Sequence, residues 1–544
     1  MRRMMLAPMI LLLGSTAPPQ PVDNVRLGNW CGGGDASDLA DPEVKTVILT
    51  GYGAGGFKIT TKSAEAQAFF TNGMQLAHAF AHKAAIKAFQ EARRLDPECA
   101  MCAWGEAWSS GPTINYGVDS DEELKKLADM ADLAAKLAVN APVQERNLIG
   151  ALQQRYRKGG NAMFADAMGK IAAIMPGDDS VAVMAADAYM IAASDWTADT
   201  MKRSVELLET VLARNPDYAP AIHFYIHATE GAGYPERAEK FADRLAIVAP
   251  SASHLVHMPS HTYYWIGRYG DAATSNFNAV KIDQANAERL KLTGPDAVWQ
   301  LAYHGHNVHF GLGGSLMSGD ADIGLKLALP MIEMVKNDPK PLGNFMQAVL
   351  GEAFVAVARF GTPDQMLAIT DPGDKMIVAQ ALWHYARGEA LARKGDFAGV
   401  KREARAVPKK IANDKSGMAT ALLAISRNVL DGRVAMLQGN PAKALAFFTA
   451  AAAIEEAKPL SNYMDPPLWW YPVRRDVAAA LLASGDAKGA LAAADASLKR
   501  RPHDPVALAI RGQAQAKLGA KAGAARDLAA ARRGWRGGKL PEGA

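Results

Sequence analysis

Cysteine is nearly absent. There are three in 544 residues, Cys31, Cys99 and Cys102, and three cannot all pair within one chain, so a disulfide framework is excluded as the source of stability. Aromatic residues make up only 7%, while alanine is abundant, which favours close-packed helices over sheets. The net charge is only +4. That lacks the cationic excess a phosphate-neutralising nucleic-acid binder needs. The locally basic stretch from Lys499 to Lys539 spaces its charges like a solvated helix face, and no nucleic-acid partner is expected. There is no Gly-x-Ser-x-Gly, no dinucleotide fingerprint and no Walker motif, so serine-hydrolase, dehydrogenase and NTPase readings have no support. Beyond the N-terminus, no apolar stretch approaches the length of about 20 residues that spans a bilayer.

What is present begins with an export pattern. Arg2 and Arg3 precede a short apolar stretch, Met4 to Leu13, then Ser15-Thr16-Ala17 and Pro18-Pro19. A charged start, a brief apolar run and a small-x-small site describe a cleavable secretory signal over 1–17. The mature chain is then expected in the periplasm or outside the cell. Residues 18–62 read as an irregular Gly/Pro-rich arm. Val44 to Thr50 has the composition of a short strand. The turn after it, Gly51-Tyr52-Gly53-Ala54-Gly55-Gly56, lacks the Gly-Lys-Ser/Thr ending of a phosphate loop and reads as a segment packed on the rest.

From residue 63 onward the chain is helix after helix, with a period. Pro216 and Pro250 lie 34 residues apart, as do Gly485 and Gly519, and Gly395 and Gly439 mark further turns of the same type. Each unit reads helix, Gly-containing turn, helix, then Asp/Asn-Pro. That is the tetratricopeptide (TPR) pattern, in which small residues let paired helices approach and proline ends the second helix. One unit cannot bury its own apolar face, so stacked units must form an α-solenoid with a concave groove. The expected fold is therefore all-α. An N-terminal array spans 63–310, divergent helical pairs span 311–430 and C-terminal repeats span 431–540. The pattern is weak over 120–200 and 310–390, where helical pairs are still expected.

Five segments go beyond generic repeats: Asp96-Pro-Glu-Cys99-Ala-Met-Cys102-Ala-Trp-Gly through Asn115, His227-Ala-Thr-Glu230, His257-Met-Pro-Ser-His261, His306-Asn307-Val-His309-Phe310, and Asp465-Pro-Pro-Leu-Trp469-Trp470-Tyr471-Pro-Val-Arg474. On these the chain resembles a group of exported bacterial TPR proteins. The resemblance implies fold and export, not a substrate. It also ranks His223, His254 and His304 below the other histidines.

Eight of the 12 histidines fall between His223 and His309. They come in three bursts, and residues three or four apart on a helix share a face. His227, His257, His261, His306 and His309 are the candidate metal ligands, since imidazole suits zinc, copper and iron. Glu230 and His227 are the candidates for proton transfer. A hydrogen-bonded His/Asn/Glu network without metal is the alternative. The Cys99-x-x-Cys102 pair is open between a local disulfide, a thiolate metal pair and two buried apolar residues. His82, paired with His78 at i,i+4, is a weaker ligand candidate. No Glu follows the first His of any pair, which argues against a zincin. Asn307, Trp469, Trp470, Tyr471 and Arg474 are candidates for lining a groove, although the aromatic segment reads more readily as a hydrophobic plug packing its loop onto the solenoid.

Two functional classes follow. One is a periplasmic binding or scaffold protein holding a peptide, a partner or a metal. The other is a metalloenzyme acting on a small molecule, by oxidation with copper or iron or by hydrolysis with zinc.

Overall fold

The structure, a computed structural model, describes residues 46–540 apart from 119, 295, 338–340, 413 and 463–464. The signal segment, Cys31 and the first part of the arm lie outside the described residues. Those described form an all-α solenoid of antiparallel helix pairs, without a β-strand among them. The stretches with a weak repeat pattern are helical too. Asp121–Leu137, Val143–Arg155, Gly160–Ile174 and Asp179–Ala192 fill the first, and Ala321–Asn337, Asn344–Phe360 and Ile377–Arg393 fill the second.

The hairpin turns follow from two adjacent residues. Gly395, Gly439 and Gly485 end their helices in the left-handed region, at φ 73°, 69° and 89°, which costs a residue without Cβ nothing. The next residue, Asp396, Asn440 or Asp486, caps the following helix by accepting from the amide three residues on. That side chain satisfies one of the orphan N–H groups of the first turn.

Close approach within pairs depends on glycine facing a large side chain. A Cβ on Gly73 would lie 2.7 Å from the Phe89 ring, and one on Gly105 would lie 2.4 Å from it. Phe89, fully buried, is thus clamped between three successive helices, Ala64–His78, His82–Leu95 and Ala100–Ser109. The same lock recurs at Gly311 against Leu327 and at Gly432 against Phe448. One apolar cluster runs from Tyr52 to Ala514.

The arm is irregular, and the strand expected at Val44–Thr50 does not form over its described part, 46–50. Its backbone pairs with a side chain instead of a neighbouring strand. Leu49 donates to Asn72 Oδ1 at 2.9 Å, and its carbonyl accepts from Asn72 Nδ2 at 2.7 Å. The glycine turn packs on the solenoid, where a Cβ on Gly53 would meet Ala219 at 2.5 Å.

The C-terminal repeats fold back onto the middle of the chain. Tyr269 donates to the Pro502 carbonyl at 2.9 Å, and the Arg536 amide donates to Ser318 at 2.8 Å. Trp535 lies against Gly319. This closure covers the helices that carry the histidines.

Gly105→Val should destabilise the fold by at least about 1–3 kcal/mol through overpacking. Pairing it with Phe89→Leu should recover part of the loss. Denaturant midpoints check this, and a neutral Gly105→Val would refute the clamp.

Candidate metal centre

Four helices bring the histidines together: Ala219–Ala232, Ser253–His257, Pro259–Ile266 and His304–Ser318. Pro259 starts a new short helix one residue after His257, because proline fits the first turn but not a helix interior. Met258 between them keeps right-handed helical angles, so His257 and His261, four apart, stay on one side. All six of His223, His227, His254, His257, His261 and His306 are buried.

They form two adjoining sets of three. In each set, one nitrogen from every ring lies within 4.8 Å of the other two: His223, His227 and His254 in the first, His257, His261 and His306 in the second. The seam between them runs through His227 and His261, whose ring centroids are 5.2 Å apart.

Which nitrogens face inward is set by what holds the outer ones. Nδ1 of His223 donates to the His78 carbonyl at 2.7 Å. Nδ1 of His257 donates to Asn276 Oδ1 at 2.6 Å, and the Asn276 amide is fixed in that sense by its own bond to the Ala272 carbonyl. Nδ1 of His261 donates to Glu230 Oε2 at 2.9 Å. In all three rings Nε2 is left facing the cluster. The Nε2 atoms of His223 and His254 are 3.1 Å apart, and so are those of His257 and His261. Two nitrogens at that spacing, each at a metal–imidazole distance of 2.0–2.1 Å from a shared ion, subtend about 95–102°. That lies between square and tetrahedral geometry. Nε2 of His227 and Nδ1 of His254 are buried without a hydrogen-bond partner.

Burial keeps most of these rings neutral. Burial pushes His223 down to about 3 and drives His227, His254, His257 and His306 well below the usual imidazole value, helped by one another. His261 differs. Burial acts against its charged form, but the Glu230 carboxylate more than offsets this and raises its pKa. In the metal-free protein a proton on His261 Nε2 donates to His257 Nε2, so a metal entering the second set must displace it.

Several sequence expectations need correction. Cys99 and Cys102 form a disulfide, so they offer no thiolate. His309 has no lone pair to give. Its Nδ1 donates to Glu352 and its Nε2 to the Pro466 carbonyl, both at 2.9 Å, and the Glu352 carboxylate outweighs burial to raise its pKa. Glu230 accepts from His261 on one oxygen and from Trp265 Nε1 on the other at 2.7 Å, and it also lies within reach of a shared ion with His227 and His261. His82 belongs to neither set. Trp469, Trp470 and Tyr471 are buried. They plug the solenoid, with Trp469 against Tyr385 and Arg475 over Tyr471. Arg474 pairs with Glu456. Asn307 donates to Asp283 and Ser253, behind the cluster, where Asp283 also accepts from His304.

His223 and His254, ranked low in the sequence, belong to the first set, whereas His304 does not. The spacing of His254 to His257, three residues, and of His223 to His227, four, was the available signal. Asn276, Trp265 and Asp283 carried none. Neither did Phe80, which is held at φ 55° while its ring stacks on His254 at 4.9 Å.

Comparisons with known proteins stand apart from this geometry. No family model matches the chain, and no curated protein matches it. Among solved structures it is similar to the human IFIT1 dimer with m7Gppp-AAAA, at 12% identity and TM-score 0.28, covering 88% of this chain and 91% of that one. It is similar to the TPR domain of P58(IPK), at 14% identity and TM-score 0.22, covering 84% and 99%. It is also similar to the Cut9–Hcn1 hetero-tetramer of the APC/C, at 13% identity and TM-score 0.30, covering 87% and 88%. These neighbours are helical-repeat proteins, and scores this low leave the fold to be read from the chain's own packing.

In the metal-free protein, Glu230→Gln should bring the His261 pKa down from its raised value. Nitrogen chemical shifts of the histidine rings near pH 6 would then report His261 as neutral. An unchanged imidazolium signal would refute the Glu230–His261 pairing.

Proposed function

We propose that this chain is an exported, periplasmic TPR-type protein whose six-histidine cluster binds two transition-metal ions, one on each set of three imidazoles. What supports the reading is the direction of the nitrogens. Three rings have Nδ1 committed to a carbonyl, an amide oxygen and a carboxylate, which leaves Nε2 atoms converging from separate helices. Outer partners of this kind fix tautomer and orientation at metal sites. A hydrogen-bonded network without metal would satisfy its own members, yet His227 Nε2 and His254 Nδ1 have nothing to bond to.

Copper fits the donor set best. All six donors are imidazoles, and copper(II) stands at the top of the divalent affinity order for nitrogen sites. Three protein ligands per ion leave a coordination position open. The binding role is the primary reading, with a protein or small-molecule partner in the same compartment. The metalloenzyme alternative draws on that open position and on a cavity that Phe80 shares with the cluster.

Protein purified without added metal or affinity histidines, then titrated with copper(II), should bind two equivalents. His223→Ala and His257→Ala should each bind one, and His309→Gln should still bind two. Asn276→Ala should weaken the second site by roughly 10–100-fold, the usual effect of losing an outer partner. Elemental analysis with competitive chelation measures both. No copper bound by the parent protein, or full loss in His309→Gln, would overturn the proposal.

A further inference from the structure

A second cluster of unsatisfied polar groups lies on the other side of Phe80. The turn between the first two described helices, the Val143–Arg155 helix and the Asp179–Ala192 helix line a small, partly open cavity with about 20 Å³ for the centres of water-sized molecules, room for only a very small ligand. Phe80, Trp108 and Phe224 form its apolar walls, and His78, Ser109, Arg155 and Asp187 face it among the polar groups.

Those polar groups are buried and short of partners. Nε2 of His78, Oγ of Ser109 and Nε of Arg155 are out of contact with water and make no hydrogen bond, in residues only 2%, 4% and 3% exposed. Both ring nitrogens of His82 are in the same state. Such groups cost free energy unless something fills the space and bonds to them.

Arg155 decides the kind of occupant. Its guanidinium donates to the Pro112 carbonyl at 2.6 Å and packs over the Phe164 ring at 4.7 Å. It makes no ion pair within 4.0 Å among the described residues. Asp187, the carboxyl that lines the same cavity, is not ion-paired with it and is raised by burial to about 7, so while Asp187 is neutral the buried guanidinium is a strong draw for an anion, and its planar edge matches a carboxylate.

We propose that this cavity binds a small monocarboxylate, with Arg155 Nε–H and Ser109 Oγ–H donating to its oxygens and its apolar end against Trp108 and Phe224. A dianion such as phosphate is disfavoured, because its second charge would face Asp187. The site needs no metal and stands independently of the six-histidine cluster.

Asp187 gives the site a pH dependence. Burial raises its pKa to about 7, with Arg155 pulling the other way. Below that value it is neutral and can donate to the ligand. Above it, its charge opposes a bound anion and competes for Arg155. The other titratable groups around it do not change over this range. Burial holds His78 near 3 and His82 near 4, and Tyr116 and Tyr156 are raised by burial. Acetate binding should therefore tighten as pH falls through 7.

The test is calorimetric titration of metal-free protein, prepared with a chelator, with sodium acetate and separately with sodium phosphate. Expected is saturable one-to-one acetate binding, stronger than any phosphate binding. Arg155→Gln should weaken acetate by about tenfold or more, and Ser109→Ala several-fold, a loss of up to about 1.4 kcal/mol at tenfold. Asp187→Asn should remove the pH dependence. Circular dichroism confirms folding. If Arg155→Gln does not fold, Ser109→Ala, which removes one oxygen from a helix end, decides. No saturable acetate binding, acetate binding unchanged in the folded variants, or phosphate binding as tightly as acetate overturns the proposal. None of these outcomes depends on copper binding.

Discussion

A protein interior resists what this one contains, which is six imidazoles turned toward one another and away from water. Each buried polar nitrogen carries a desolvation cost unless it is bonded. The arrangement holds because the outer nitrogens are tied down. The carbonyl of His78, the amide of Asn276 and the carboxylate of Glu230 each take one Nδ1 proton. With those protons fixed, the inner nitrogens have only one another, a shared proton or a cation to face. Within the two sets only His261, whose outer nitrogen donates to the Glu230 carboxylate at 2.9 Å, is raised in pKa. The set is therefore mostly uncharged, the state in which imidazole is a ligand.

The solenoid supplies the rigidity that such an arrangement needs. The glycine-to-ring locks, such as Gly73 and Gly105 on Phe89, fix the distance between helix pairs. The histidine rings come from four helices, so an error in any one spacing would open the 3.1 Å contacts. The aromatic segment Asp465 to Arg474 then closes the far side. The carbonyl of Pro466 takes the proton of His309 Nε2, Tyr264 donates to the Trp470 carbonyl at 3.5 Å, and Asp465 lies 3.6 Å from His306 Nδ1. The plug and the cluster thus share the helix that bears His306 and His309.

Much of the fold was legible because it repeats. A Gly followed by Asp or Asn between apolar stretches specifies a helix end and the next cap, and 34-residue spacing specifies stacking. The site was legible only in part. Same-helix pairs such as His223 and His227 can be read from spacing, because the helix puts them on one face. The pairing of His223 with His254 cannot, since it depends on how two repeats stack. His309 failed for a related reason. It sits on the His306 face, but its two nitrogens are claimed by Glu352, 43 residues later, and by Pro466, 157 residues later. Nothing local to His309 announces either partner. The aromatic plug was open between two readings because the fold-back of the C-terminal repeats onto Tyr269 and Ser318 is a property of the superhelix, not of any repeat.

Phe80 ties these threads together. A phenylalanine in the left-handed region pays a backbone cost that most turns avoid with glycine. Its ring is placed where that cost has a return: it stacks on His254 at 4.9 Å and meets His223 edge-on at 4.5 Å, while lining the cavity of Arg155 and Ser109. One side chain therefore separates a nitrogen-rich, largely neutral cluster from a cavity that holds the buried Arg155 and Asp187. The ligands proposed for the two are opposite in charge, a metal cation on one side and a small anion on the other. A ring between them has no charge to offer either, and so it can partition the two sites without competing in them.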